Sequence, residues 1–308
     1  MNNIFSQDAM QANLGFVLSQ TSHIETQVYN KRYPAIQYPN LIPVDTSANP
    51  WVKTVTYFSA DKAGKAEWIN GKARDIPLAS TARQKHETDV FMAGIGYSYS
   101  LEEVHQAQMI GQNLPNDDAM AARRAYEEFV DRIALYGDAE KGFEGLLDHS
   151  AVSPISAATP WPSATSEEIL ADLNNMITGV FITTNTVALA DTILLPWERY
   201  NYIATTPRSD SSDKTILQYF IENNVYTAQT GQNLTIRGVL GLEKAGAGGT
   251  ARAVTYRRDP EVLKLHIPMV HRFLPLQIII MEYIVPGIFR LGGLDIRLPK
   301  EVTYLDGI

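Results

Sequence analysis

The chain has 308 residues and a net charge of -8, from 34 Asp and Glu against 26 Lys and Arg. Its length predicts about two domains, and its 45% of hydrophobic residues is typical of a globular protein. It contains no cysteine, which excludes disulfides, thiol nucleophiles and Cys-ligated metal sites, and its acidic balance disfavours general nucleic-acid binding.

Residues 1–51 are predicted to form an N-terminal arm. Pro34, Pro39, Pro43 and Pro50 favour an extended path and disfavour a helix. The stretch also carries large apolar residues, which favour an arm that is ordered on another subunit over a solvated tail. These residues are Tyr29, Tyr33, Ile36, Tyr38, Leu41 and Ile42. The start of the chain has neither the basic residues nor the long apolar core of a secretory signal.

Residues 52–87 are predicted to form a long β-hairpin. The run from Val52 to Phe58 is dense in β-branched and aromatic residues. Gly64 and the Asn70-Gly71 pair are two alternative positions for the reversal. Seven basic residues against four acids give this segment a charge of +3 within an acidic chain. The basic residues are Lys53, Lys62, Lys65, Lys72, Arg74, Arg83 and Lys85.

A long helical element with one interruption is predicted next. Ser100 and Glu103 have the spacing of a capping box, and Asn116 is expected to cap a second stretch that runs to Tyr136 before Gly137. Apolar residues at spacings of three and four predict a buried stripe formed by Ala122, Tyr126, Phe129, Ile133 and Tyr136. Between 101 and 137, seven acids against three arginines give a charge of -4. The acids are Glu102, Glu103, Asp117, Asp118, Glu127, Glu128 and Asp131.

The remainder of the chain mixes helix and strand signals and ends rich in strands. Thr165 and Glu168 form another predicted capping box. Beyond residue 250, strands are predicted at 251–257, 262–270, 277–285 and 291–298, separated by Pro or Gly. This order of elements predicts an α+β fold.

The motif search indicates no catalytic, cofactor or metal site. The six histidines form neither HExxH nor a pair at i,i+4, and Glu102 with His105 is more simply a surface pair. The glycine-rich loop at 246–249 lacks the Lys and Ser/Thr of a phosphate loop, and no GxSxG occurs. We therefore expect no cofactor and no enzyme activity, although active sites also assemble from distant residues.

Two stretches of the sequence resemble the major capsid proteins of tailed phages. These proteins share the Hong Kong 97-type shell fold with encapsulin compartments. The first stretch runs from Tyr97 to Val152 and includes the join Gly-Phe-Glu-Gly-Leu-Leu-Asp-His at 142–149. The second is the carboxyl end, at 254–265 and 297–308.

The resemblance implies a division of the chain into five segments. They are an N-terminal arm at 1–51, an extended loop at 52–87, a peripheral domain with a spine helix at 88–145, an axial domain at 146–250, and a β-rich return to the peripheral domain at 251–308. The axial domain would be inserted into the peripheral domain.

The implied function is that of a structural shell subunit. It would self-assemble into pentamers and hexamers of an icosahedral head that encloses double-stranded DNA. Its partners would be many copies of itself, DNA held without sequence-specific binding, and scaffold, portal or decoration proteins, with no membrane. It would be found in the virion after assembly in the host cytoplasm. An encapsulin-type compartment for a cargo enzyme is an alternative, and a soluble α+β enzyme is an alternative of another class.

The charge contrast suggests a contact between subunits. In the implied fold the extended loop lies across a neighbour's peripheral domain, so the basic loop would meet the acidic spine region. The candidates are Lys53, Lys62, Lys65, Lys72 and Arg74 on the loop, and the seven acids between 101 and 137 on the neighbour. Exposed ion pairs contribute only ~0.2–1 kcal/mol each, so many would have to act together.

Overall fold

The structure is a computed structural model that describes residues 35–66, 68, 78–110, 114–209 and 213–308. Its described helices are Tyr38–Leu41 (α1), Leu101–Ile110 (α2), Leu114–Tyr136 (α3), Ser166–Thr183 (α4), Trp197–Thr205 (α5), Ile216–Glu222 (α6) and Val225–Thr230 (α7). None of these helices is long and apolar enough to cross a membrane.

Strands occur along the whole described chain. The first nine are Val44–Asp45 (β1), Thr54–Ala63 (β2), Ser80–Asp89 (β3), Phe91–Gly94 (β4), Tyr97–Ser100 (β5), Gly137–Asp138 (β6), Phe143–Glu144 (β7), Pro154–Ser156 (β8) and Thr192–Pro196 (β9). The others are Thr235–Val239 (β10), Arg252–Tyr256 (β11), Leu263–His266 (β12), Met269–Phe273 (β13), Gln277–Ile279 (β14), Glu282–Val285 (β15), Gly287–Leu291 (β16), Leu294–Ile296 (β17) and Val302–Asp306 (β18).

The spine helix α3 is the longest helix among the described residues. It begins at Leu114, so Asn116 lies inside its first turn and is not the cap that the sequence predicted. Pro115 fits this start because the first turn has no intrahelical partner for the N–H that proline lacks. The helix ends before Gly137, whose φ of 77° is the left-handed conformation expected of a terminating glycine.

The buried face of α3 differs from the predicted stripe at one end. Ala122, Tyr126 and Ile133 are buried as expected, whereas Tyr136 is exposed. Val130 is also fully buried.

A five-stranded sheet joins the middle of the chain to its carboxyl end. Its strand order is β10-β9-β11-β18-β8. Successive residues of a strand point to opposite faces, and here both faces are covered. Ile193 and Leu195 of β9 pack in one core with helices α4, α5 and α6, whereas Leu194 packs in a second core with α3. This explains why the central strands are buried at every position.

The same sheet crosses the predicted boundary between the axial and peripheral domains at residue 250. Strands β11 and β18, from the 251–308 segment, are its third and fourth strands. Backbone hydrogen bonds therefore connect the two segments directly, and the five-segment division remains a prediction.

The base of the predicted arm lies on its own chain. Tyr38, Leu41 and Ile42 are buried in the core that contains α3. Strand β1 pairs in parallel with β12, with Val44 opposite Leu265. The expectation that the arm lies on another subunit is therefore wrong for residues 36–45. Residues 1–34 are outside the described residues.

The run that was predicted as one strand at 277–285 is a hairpin in the structure. The run 277–285 forms the two antiparallel strands β14 and β15, joined by Ile280 and Met281. It contains no Gly, Asn, Asp or Pro at the reversal, so the sequence carried no turn signal there. Together with β5 it forms a three-stranded sheet of order β14-β15-β5.

The two capping boxes are confirmed. The backbone N–H of Ser100 donates to Glu103 at 2.9 Å, and the N–H of Glu103 donates to the Ser100 hydroxyl at 3.2 Å. Thr165 and Glu168 make the same reciprocal pair at the start of α4. Local side-chain spacing was sufficient to predict both helix starts.

Candidate functional site

The long hairpin predicted at 52–87 is present and exposed along its length. Strands β2 and β3 pair over ten residues each, from Thr54 opposite Asp89 to Ala63 opposite Ser80. At the usual rise of a strand, ten residues span about 30 Å. Phe58 in its middle is 67% exposed. The reversal lies between 63 and 80, and Gly71 is outside the described residues.

The base of this hairpin is attached to the body of the subunit. The Arg290 guanidinium donates to the carbonyls of Pro50 and Val90, at 3.1 and 3.2 Å, on the two segments that lead into the hairpin. The ring of Tyr57 stacks on His86, with centroids 4.7 Å apart, and the Arg297 guanidinium lies 4.6 Å from the Tyr57 ring centroid. Burial, followed by the nearby Asp295 carboxylate, raises the pKa of Tyr57. Attachment at one end leaves the outer part of the hairpin projecting from the subunit.

Three of the five basic candidates are on the described part of the hairpin segment. Lys53, Lys62 and Lys65 are exposed. Lys72 and Arg74 lie outside the described residues. Lys85, on β3, forms an ion pair with Glu87 of the same strand.

Several of the acidic candidates have partners within their own chain. Glu128 accepts a hydrogen bond from Arg124 at 2.8 Å, and Glu127 accepts one from the hydroxyl of Tyr38 at 2.7 Å. Asp131 accepts hydrogen bonds from the backbone N–H groups of Gln37 and Tyr38, at 2.9 and 2.7 Å. Glu127 and Asp131 therefore hold the base of the arm on the spine helix, a role that the sequence did not indicate.

The pKa shifts of two tyrosines at the base of the arm agree with these hydrogen bonds. Burial, together with the hydrogen bond to Glu127, raises the pKa of Tyr38 well above its ordinary value, so its hydroxyl stays a donor. Burial also raises the pKa of the adjacent Tyr126 to about 12.

The other acidic candidates lie near the helix starts. Glu103 is exposed, and its hydrogen bonds from Ser100 lower its pKa. Glu102 is exposed beside it, and Asp118 is half-buried. The side chain of Asp117 is outside the described residues.

An exposed apolar tip, formed by Leu276 and Ile278–Met281, is a second notable surface. The exposed fractions are 52% for Leu276, 68% for Ile278, 50% for Ile279, 93% for Ile280 and 65% for Met281. Ile280 has a φ of 58°, a left-handed conformation that costs roughly 1–3 kcal/mol for a residue other than glycine. Sequence reasoning missed this surface because an apolar run with no turn residue is typical of a buried strand.

A buried ion-pair network links the start of β11 to the end of β18, the third and fourth strands of the five-stranded sheet. The Arg252 guanidinium donates to both carboxylate oxygens of Asp306, at 2.6 and 2.9 Å, and also to Asp148 and to the carbonyl of Leu147. The side chains of Arg252 and Asp306 are only 4% and 5% exposed. Burial alone would raise the pKa of Asp306, but the hydrogen bonds from Arg252 and from the Ala247 N–H lower it. The network joins the last strand to the loop after β7.

The described residues contain no group of three or more His, Asp or Glu side chains that could hold a metal ion. The prominent features are thus an exposed hairpin and an exposed apolar tip on a well-packed body. A family model described as "Major capsid protein" matches residues 64–308.

The chain belongs to the major capsid protein family. It is a structural subunit of a phage capsid, and hence a component of the virion. No curated protein sequence matches it.

Solved capsid structures share the fold of this capsid protein. The capsid of Myoviridae phage XM1 has a TM-score of 0.79 at 17% identity, covering 94% of this chain and 98% of the other. The capsid of an empty GTA particle has a TM-score of 0.64 at 9% identity, covering 99% of each chain. A virus-like particle from Pyrococcus furiosus has a TM-score of 0.52 at 13% identity, covering 87% and 91%. The expected Hong Kong 97-type fold of α+β class is thereby confirmed.

Proposed function

We propose that this capsid protein assembles into pentamers and hexamers of a closed icosahedral head that encloses double-stranded DNA. The observation that carries the proposal is the exposed hairpin β2–β3. Isolated two-stranded hairpins are at best marginally stable, and in the described residues this one is held on its own subunit near its base, by Arg290 and Arg297. A hairpin of this length therefore supports a role in contacts with neighbouring copies.

Assembly follows from repetition of the same contacts. A head-to-tail contact closes into a ring when its rotation permits, and rings of two sizes can tile a closed shell. The hairpin extends the reach of each subunit, so it buries surface on a neighbour that the body does not touch. Moderate contacts suit this task, because incorrect contacts must dissociate before the shell closes.

We infer that charge guides the hairpin onto its neighbour. Lys53, Lys62 and Lys65 are exposed and available for such a contact. On the acidic side, Glu102 and Glu103 are exposed candidates that lie away from the arm base. Glu127 and Asp131 are the less suitable partners, because their own chain already uses them. Lys72, Arg74 and Asp117 remain candidates from the sequence.

The net charge of -8 supports enclosure of DNA without tight binding. Affinity for nucleic acid arises chiefly from cationic side chains that displace counterions, and this chain has an excess of acids. An acidic container would allow a genome to be moved in and released.

Electron microscopy of the purified protein tests assembly. Closed particles or rings of five and six subunits are expected, and a persistent monomer at high concentration would contradict the proposal.

Nuclease treatment of particles recovered from lysed host cells tests what the particles contain. Protected double-stranded DNA is expected. Protein-filled particles without DNA would instead support the encapsulin-type compartment.

A further inference from the structure

One face of the three-stranded sheet β1-β12-β17 carries a row of charged side chains. Asp45 of β1 is opposite His266 of β12. Asp295 of β17 is opposite Lys264, which lies two residues earlier on β12. Alternate residues of a strand share a face, so all four side chains lie on the same side, whereas Leu265 packs in the core on the other side. The row therefore extends from the arm base, which contains β1, across to β17.

The far end of this row reaches the base of the hairpin. The Arg297 guanidinium donates to Asp295 at 3.2 Å and also lies 4.6 Å from the ring centroid of Tyr57 on β2. Burial, and then the Asp295 carboxylate, raise the pKa of Tyr57, so this carboxylate is close enough to act on the ring. Attraction between the carboxylate, the guanidinium and the aromatic ring therefore connects the hairpin base to β17.

His266 lies between the two ends of the row. Its Nδ1 is 3.8 Å from Asp45 Oδ2, and its Nε2 is 3.7 Å from Asp295 Oδ2. Both distances are about 0.8 Å longer than a normal N–H···O hydrogen bond. The side chain is only 2% exposed, and Nε2 has no hydrogen-bond partner among the described residues. A buried polar group without a partner is costly, so the ring gains by moving onto one of the two carboxylates.

The backbone of His266 is fixed, so the movement is left to its ring. Its N–H donates to the carbonyl of Gly293 at 3.0 Å, and its carbonyl accepts from the N–H of Gly292 at 2.8 Å. The N–H of Ile267, the next residue, donates to the carbonyl of Asp45 at 2.9 Å. One ring nitrogen faces β1 and the other faces β17. A rotation of the side chain that closes one contact therefore lengthens the other.

Both carboxylates are held in place by other groups. Ser47 donates twice to Asp45, at 2.6 and 3.0 Å, and these hydrogen bonds lower the pKa of Asp45. Burial alone would raise the pKa of Asp295, but His266 and Arg297 beside it lower that pKa. The two carboxylates are therefore charged at neutral pH, and neither can follow the ring freely. The ring can form a normal hydrogen bond with only one of them at a time.

We propose that His266 is a two-position switch, which hydrogen-bonds either Asp45 or Asp295 and so tightens either the arm base or the hairpin base. The two bases are then coupled with opposite sign. When the arm base moves away from β12, the ring closes on Asp295 and the hairpin base is held more tightly. A cluster that merely holds both bases would behave differently, because weakening one side would loosen both. The switch lies within one subunit and acts whether or not subunits assemble.

Hydrogen exchange in the unassembled full-length chain tests the sign of this coupling. The N–H of Ile267 reports the contact between β1 and β12, and the N–H groups of residues 54–57 report the hairpin base. Asp45→Asn removes the charge but keeps an oxygen that accepts from Ser47. It should speed exchange at Ile267 and slow exchange at 54–57 about fivefold, the effect of one additional hydrogen bond. Asp295→Asn should have the reverse effects on the two segments.

Two further variants separate the switch from general changes in charge or packing. Glu261→Gln removes an exposed carboxylate just before β12 and should leave exchange at both segments unchanged. His266→Phe places a ring of similar size without nitrogen between the carboxylates, and in this background Asp45→Asn should no longer slow exchange at 54–57. Faster or unchanged exchange at 54–57 in Asp45→Asn alone, or a slowing that survives His266→Phe, would overturn the switch.

Discussion

At the scale of single residues, the most constrained group is the Arg252 guanidinium. It is buried and makes hydrogen bonds to Asp306, Asp148 and the carbonyl of Leu147. The two residues of its main ion pair are 54 positions apart in the sequence. A buried pair adds little net stability compared with apolar residues, but loss of Asp306 leaves a buried charge opposite the Asp148 carboxylate, which is 80% exposed.

We predict that Asp306→Asn destabilises the unassembled subunit by about 3–5 kcal/mol, because Arg252 would remain charged and buried. Urea denaturation followed by circular dichroism measures this loss. Lys85→Ala removes an exposed ion pair and should cost no more than about 1 kcal/mol. Equal losses for the two variants would show that the Arg252 network does not stabilise the sheet.

The Asp306 carboxylate of this network predicts that the stability of the subunit depends on pH. The pKa of Asp306 is lower in the folded chain than its ordinary value, so the folded state binds this proton less readily than the unfolded state. Its contribution to stability is complete above about pH 5 and is lost as the pH falls through the lowered pKa. Unfolding free energies between pH 7 and pH 3 should therefore decline, and Asp306→Asn should flatten the decline. An exposed control, Glu140→Gln, should leave the profile unchanged.

At the scale of elements, the spine helix has two tasks. One face packs in the core, and its acids hold the base of the arm. Asp131 is an acceptor for two backbone N–H groups of residues 37 and 38, an arrangement similar to a helix cap. The residues predicted as contacts between subunits thus include some with a clear role inside one subunit.

We predict that Asp131→Ala loosens the arm base by about 1–3 kcal/mol, since two partly buried N–H groups would lose their acceptor. Hydrogen exchange of residues 36–45 should accelerate in the unassembled subunit. Asp118→Ala, on the same helix, is the control and should leave these residues protected. Unchanged exchange in Asp131→Ala would mean that apolar packing of Tyr38 and Leu41 alone holds the arm base.

At the scale of the whole molecule, the basic hairpin and the acidic region carry opposite charge. Combined replacement of Lys62, Lys65 and Lys72 by Glu is expected to slow assembly at low salt and to have a smaller effect at high salt, because exposed charges are screened. Light scattering measures the assembly rate. Combined replacement of Lys141, Lys244 and Lys300 by Glu gives the same change in net charge and should slow assembly less. Equal rates would show that only total charge matters.

A feature of this protein could be predicted from the sequence when it depends on residues that are close together in the chain. The capping boxes at Ser100 and Thr165, the long hairpin and the end of the spine helix before Gly137 were predictable, because each depends on residues within a few positions. The family resemblance was also readable, since it lies in runs of adjacent residues.

Tertiary structure alone decided three features. The Arg252–Asp306 pair, the arm base on Asp131 and the turn at Ile280 all depend on groups or strain that local patterns do not encode. Pairs far apart in sequence form only when the sheet and core bring them together, and a strained turn forms only when its flanking strands impose it. The sequence determined the elements and the family, whereas packing decided which charges are used inside one subunit and which surfaces remain for its neighbours.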